Sequence, residues 1–285
     1  IGSLKHTALA VVASLLAACS PPALLDGLDR VTPGASGQRV ASAIAFGAHG
    51  QRLDVWAPDR DSTARRPVVI FYYGGGWVKG ARAEYGFAAR AYAARGFVVV
   101  VPDYRKVPDV RFPAFVEDAA DAVRWTQDNI AAHGGSPDRI ALAGHSAGAY
   151  AAAMLALDKR WLGGEGISPS RLAGWIGLAG PYDFLPIADR KTQVAFEWPG
   201  TPPDSQALFH ASKSSPPALL LAPVNDSLVN TQRSTVSMAQ RLKSSGVPVE
   251  VELFDTVSHI TIVATMAWVL RSRAPVLERV TGFVK

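Results

Sequence analysis

Gly144-His145-Ser146-Ala147-Gly148 sets a serine between two glycines, directly after the apolar run Ile140–Ala143 and before an alanine-rich helical stretch. A strand that turns sharply into a helix at this point leaves the Ser146 hydroxyl on the tip, and flanking glycines remove the Cβ collisions that the turn would create. The helix start behind the serine brings backbone N–H groups and the positive end of its dipole. A hydroxyl is a poor nucleophile at neutral pH and needs a base, which in turn needs an acid to orient it. Where a serine stands on such an elbow, acid and base follow it in that chain order. Only two histidines lie downstream, His210 and His259. His259 comes just after the last expected strand, on a loop before the final helix, and is the expected base. His210 falls in a stretch without strand pattern and reads as a surface residue. Asp226, shortly beyond the run Ala218–Leu221, is the expected acid. Asp255 is nearer to His259 in sequence, but it ends the strand that leads to His259 and is badly placed to orient it. His145, inside the elbow, reads as a packing or locally bonded side chain.

A second signal is Tyr73-Gly74-Gly75-Gly76-Trp77, directly after the strand-like run Pro67–Tyr72. Three glycines beyond a buried strand leave backbone N–H groups uncovered and able to approach a ligand oxygen closely. With the N–H of Ala147 they suit the developing oxyanion of an acyl transfer. The pattern is neither G-x-G-x-x-G nor G-x-x-x-x-G-K-[ST], which disfavours a nucleotide. Six histidines are scattered with no ligand spacing, so no metal or cofactor is indicated.

These groups need a scaffold. Runs at 67–72, 96–101, 140–143, 172–178 and 218–221 are apolar without alternation, as in strands buried on both faces of a parallel sheet. Val247, Val249, Val251 and Leu253 alternate with polar residues, as in a strand near a sheet edge. Helical patterns fall at about 82–95, 114–132, 147–158, 230–245 and 260–283, which makes the fold α/β with helices on both faces. Residues 182–215 break the rhythm with several prolines and no strand period. A loop that long inside a compact domain is usually functional, and it reads as a small cap.

The 285 residues are 48% hydrophobic and 19% charged, which excludes a disordered chain. The net charge of +5 is scattered rather than gathered into a patch, so no nucleic-acid partner is expected. Cys19 is the only cysteine. It follows twelve uncharged residues, Thr7–Ala18, too short for a bilayer span of about 20 residues but suited to a secretory signal. Leu16-Ala17-Ala18-Cys19 resembles a bacterial lipobox, which implies cleavage after residue 18 and acylation of Cys19. Residues 19–38, rich in Pro, Gly and Ser, then read as a tether, and 39–285 as the folded domain. Anchoring would be by lipid alone, in the cell envelope, with Ser20 pointing to the outer membrane.

Five blocks in order resemble a known family: Tyr73–Trp77, Asp103-Tyr104-Arg105, Phe112-Pro113 with Glu117-Asp118, Gly134–Ile140 and Gly144–Gly148. Together they look like the α/β-hydrolase esterases related to hormone-sensitive lipase and to bacterial feruloyl-esterase-like enzymes. The resemblance implies an α/β-hydrolase fold with a mostly parallel central sheet. It also implies Gly75, Gly76 and Ala147 as oxyanion donors, with Asp103 and Arg105 bracing the loops around the site. Two positions depart from the pattern: Tyr73 stands where the family usually has histidine, and Ala222–Asp226 lacks the usual His-Gly before the acid. The implied activity is hydrolysis of small to medium carboxylic esters, with a small-molecule ester as partner and no cofactor. An amidase, arylformamidase or peptidase could use the same three residues, and a non-catalytic envelope-anchored module is a third reading. Oligomeric state is left open.

Overall fold

The apolar runs read from the sequence form the middle of one eight-stranded sheet in the computed structural model, which describes residues 20–32, 36–59 and 62–284. Cys19 and the signal-like segment lie outside the described residues. The strands are β1 (Gly37–Phe46), β2 (Gln51–Pro58), β3 (Arg66–Tyr72), β4 (Val98–Pro102), β5 (Gly135–His145), β6 (Gly174–Leu178), β7 (Ala218–Pro223) and β8 (Val249–Phe254). Their order across the sheet is β1-β2-β4-β3-β5-β6-β7-β8. From β4 to β8 every neighbouring pair is parallel, and β1 and β2 add an antiparallel edge. Val68–Tyr72, Val98–Val101, Ala141–Ala143 and Leu219–Leu221 are fully buried, as strands covered on both faces must be.

Nine α-helices accompany the sheet among the described residues: α1 (Pro21–Arg30), α2 (Gly86–Ala94), α3 (Ala114–Asn129), α4 (Ala147–Leu157), α5 (Lys159–Gly164), α6 (Arg190–Ala195), α7 (Ser237–Ser244), α8 (Thr261–Ala264) and α9 (Val276–Phe283). Helices α3, α4 and α5 pack on one another, and α2 packs on both α1 and α9. None is long and apolar enough to cross a membrane.

Three expectations need correction. The first is the tether: Ser20 caps a helix, accepting from the N–H of Ala23, and α1 is docked on the body. Its inward residues include the buried Asp26 and Asp29, which take the guanidinium of Arg90 in α2 at 2.6 and 2.9 Å. Leu25 packs on the core beside this ion cluster, so the inward stripe is mixed, and the two aspartates interrupt its apolar pattern. The second is the continuous helix over 260–283, which is broken into α8, a 3₁₀ segment Trp268–Arg273 and α9. Pro275 causes the final break: Ala274 before it is extended, as a residue preceding proline prefers. The third is smaller. The pattern at 230–245 starts with a π-turn, Gln232–Val236, and that at 82–95 with a 3₁₀ turn, Arg82–Glu84.

The strandless segment 182–215 contains α6 and two 3₁₀ turns, Pro203–Ser205 and Ala207–His210. Phe184 and Phe196 fix it to the body by packing around Trp77 and Tyr150, with Trp77–Phe196 ring centroids 4.9 Å apart. Arg233 holds Asp183 through two hydrogen bonds of 2.8 and 2.9 Å, and Tyr150 donates to the Ser205 carbonyl.

Candidate active site

Ser146 is the single residue between β5 and α4, and it is held at φ 54° and ψ −120°. A non-glycine residue there is strained, and the strain persists only where the surroundings over-determine it. Both neighbouring glycines do so. A Cβ on Gly144 would run into the Gly148 backbone, and a Cβ on Gly148 into the carbonyl of Tyr72 at the end of β3. The elbow therefore closes on β3 with no side chain between them.

His259 and Asp226 reach Ser146 from two separate loops. The Ser146 Oγ lies 2.8 Å from His259 Nε2, and His259 Nδ1 lies 2.7 Å from Asp226 Oδ2. A carboxylate only accepts, so Nδ1 carries the proton and Nε2 presents its lone pair to the serine hydroxyl. The other Asp226 oxygen accepts the N–H groups of Leu228 and Val229, at 2.8 and 3.1 Å. Burial pushes the Asp226 carboxyl up, but the His259 hydrogen bond and these two N–H groups outweigh it and hold the group below its ordinary value. Asp255 is exposed and makes no hydrogen bond to His259, and His210 bonds the Asp204 carbonyl within the segment 182–215. The sequence expectations of Ser146, His259 and Asp226 converge on one hydrogen-bonded chain.

The glycine loop follows β3 and lies against the serine. A Cβ on Gly74 would stand 3.1 Å from the Ser146 Cβ. Gly75 turns its carbonyl to the N–H groups of Val78 and Lys79, and Gly76 has a φ of +61°. Among the described residues, the N–H groups of Gly75, Gly76 and Ala147 have no protein acceptor.

Tyr73 is anchored beneath this loop. Its hydroxyl donates to Asp103 at 2.8 Å and accepts from Lys106 Nζ at 3.1 Å, and its carbonyl accepts from the Tyr104 hydroxyl. Asp103 also takes the backbone N–H and guanidinium of Arg82, whose Nε reaches the buried Asp54. The Lys106 ammonium lies 5.1 Å from the Tyr104 ring centre, and burial holds its pKa below the ordinary lysine value. Arg105 is joined to the fully buried Asp118, so both bracing residues implied by the resemblance are tied into the loops. Sequence reasoning missed Arg82, Lys106 and Asp54. Lys106 had one available signal, its position directly after Asp103-Tyr104-Arg105.

A mostly parallel sheet with a strained serine between strand and helix, a histidine after the last strand and an acid after the one before it define an α/β-hydrolase fold. The chain belongs to the BD-FAE family, whose model matches residues 53–242. It is 30% identical to a probable carboxylic ester hydrolase of Mycobacterium tuberculosis, LipM, across 72% of this chain and 52% of that protein. It is 36% identical to a probable isoprenylcysteine alpha-carbonyl methylesterase of Oryza sativa subsp. japonica, across 53% of this chain and 37% of that one. The chain thus spans about half or less of the length of these curated relatives. Among solved structures, an esterase of Pyrobaculum calidifontis superposes with a TM-score of 0.74 at 26% identity, covering 93% of this chain and 89% of that one.

Proposed function

We propose that the protein is a serine esterase that hydrolyses carboxylic esters of small to medium acyl groups through an acyl-enzyme. The observation that carries this is the chain Ser146–His259–Asp226, with hydrogen bonds of 2.8 and 2.7 Å. Ser146 Oγ attacks the ester carbonyl carbon while its proton passes to His259 Nε2. Asp226 holds the ring tautomer and stabilises the imidazolium. Gly75, Gly76 and Ala147 donate to the carbonyl oxygen as it gains charge, where one donor is worth about 10²–10³ in rate. His259 then protonates the departing alcohol, and water, deprotonated by the same ring, releases the acid and regenerates Ser146. The aromatic packing of Trp77, Phe184 and Phe196 fills the space under 182–215 and supports short acyl groups over long chains.

The test is turnover of a p-nitrophenyl ester series of increasing chain length, with fluorophosphonate labelling. The expected result is fastest turnover on short esters, a label on Ser146, and loss of both in Ser146→Ala. A label on another serine overturns the assignment, and faster turnover of matched anilides makes the protein an amidase. We also propose that Cys19 is acylated and holds the protein in the cell envelope. A palmitate analogue should label the wild type and not Cys19→Ser, and an unlabelled mature wild type overturns the anchor alone.

A further inference from the structure

His145 ends β5, one residue before the serine, and the mechanism above gives it no part. The residue is 5% exposed. Nε2 lies 2.7 Å from the carbonyl oxygen of His259. A carbonyl can only accept, so the His145 proton is on Nε2 and the lone pair on Nδ1. Nδ1 has no hydrogen-bond partner, and a Cβ on Gly74 would stand 2.8 Å from it. The His145 and His259 rings are tilted against each other, with centroids 5.1 Å apart. Among the described residues, this is the only hydrogen bond between the backbone of the loop 255–260 and the elbow.

We propose that His145 is a positioning residue for the reaction, holding the backbone of the base in register with the nucleophile through the His259 carbonyl. The proposal rests on the serine-esterase reading. Nucleophile and base are then both referenced to consecutive residues, 145 and 146, at the end of one central strand. Apart from the His259 ring itself, which meets Asp226 and Ser146, the loop bonds itself and the C-terminal segment: Ser258 and Thr261 bond each other, and Thr256 donates to the Arg273 carbonyl. Without the tether, the imidazole can drift from Ser146 while its bond to Asp226 survives. The tether must also stay neutral, because His259 becomes cationic in the reaction and a second imidazolium at this spacing would oppose it. The charged or titratable groups facing the ring are His259 and Asp226. Burial, followed by His259, pushes its pKa down to about 3, so the ring remains a neutral Nε2–H donor throughout the working range.

Steady-state kinetics of His145→Leu and His145→Gln on p-nitrophenyl acetate test the proposal. Leucine cannot donate, whereas a glutamine amide can offer an N–H to the same carbonyl. His145→Leu should lower kcat about 10²-fold, the scale expected for a misplaced reacting group, with KM within about threefold. His145→Gln should recover about tenfold of that loss. A folded His145→Leu with wild-type kcat overturns the proposal, as does a loss that His145→Gln shares in full. A measurement on the wild type guards against variants that fail to fold. Nitrogen-15 shifts should show Nε2 protonated, Nδ1 bare and no titration between about pH 5 and pH 8. A ring that titrates there, or that carries its proton on Nδ1, removes the tether. A wild type without ester turnover and without a label on Ser146 instead defeats the esterase reading, and leaves the tautomer measurement standing.

Discussion

Tyr73 and Asp103, thirty residues apart, share a 2.8 Å hydrogen bond beneath the glycine loop. The phenol is buried and stacked between Tyr85 and Tyr104, with ring centroids at 5.4 and 4.8 Å. Its position is the one where the family resemblance places histidine. A phenol that accepts from Lys106 and donates to Asp103 meets the same need, a fixed side chain under a loop that has none of its own.

Tyr73→Phe keeps the stacked ring and removes both hydrogen bonds. Half-buried Lys106 loses one partner and keeps the Tyr104 carbonyl, which should cost about 1 kcal/mol in urea denaturation. A looser glycine loop should lower kcat on a short ester about tenfold, with KM little changed. An unaltered kcat would show that the loop keeps its shape without the phenol.

Asp226→Asn should preserve the geometry and favour the wrong His259 tautomer, reducing kcat by up to about 10⁴. Asp255→Asn should change kcat by less than about threefold, because Asp255 is exposed and unconnected to His259. The reverse ranking would transfer the orienting role to Asp255.

Acid should reveal His145 separately from Asp226. The unfolded ring takes a proton near 6.5 and the folded one only near about 3, so the native state loses stability as pH falls between those values. The loss from this residue rises by up to about 1.4 kcal/mol per pH unit. Asp226 is held low, so its contribution is present above the unfolded carboxylate value of 3.8 and fades below it. Denaturant midpoints at about pH 7 and pH 5 should therefore fall more steeply for the wild type than for His145→Gln. Parallel slopes would show that the ring is protonated in the fold.

Arg90→Met removes the guanidinium that bridges α1 and α2, leaving the buried Asp29 with the Trp268 N–H and the buried Asp26 with Arg30 of its own helix. Breaking one side of a buried ion cluster costs about 3–5 kcal/mol, and thermal unfolding should show a loss of that order. Adding Asp26→Asn and Asp29→Asn should restore part of it. Equal stability of Arg90→Met and wild type would mean that α1 contributes nothing to the body.

The readable parts of the protein were those whose signal is local. Val98–Val101 and Leu219–Leu221 announce buried strands through uninterrupted apolar runs, and Ser146 announces the elbow through glycines two residues either side. His259 and Asp226 were legible because each follows a strand, and chain order limits the choice. The edge strands β1 and β2 were not read, because β1 is largely exposed and β2 buries Asp54, a strand-disfavoured carboxylate that bonds Ser42, Arg82 and the backbone of Ala43. Helix α1 hid behind its two inward aspartates. The network under Tyr73 was illegible for another reason: Asp103 and Arg82 meet 21 residues apart through tertiary packing, and no spacing rule reports such a pair. Pro275 is a visible breaker within 260–283, and apolar residues on both sides of it keep a helical pattern running across the break.

The close approach of Gly148 to the Tyr72 carbonyl has a consequence for how this chain can change. The gap between the serine and the glycine loop is set by backbone hydrogens, so no alternative side chain can tune it in small steps. Positions 74, 144 and 148 are therefore closed to gradual drift, and any replacement there shifts the reacting atoms themselves. The segment 182–215 is fastened differently, by rings such as Phe184 and Phe196 whose size can be traded. Changes can accumulate in that segment while the approach of the elbow to β3 and the glycine loop stays constant. A library randomised over 182–215 should yield altered selectivity with turnover retained, whereas one that includes residue 148 should yield mostly inactive chains.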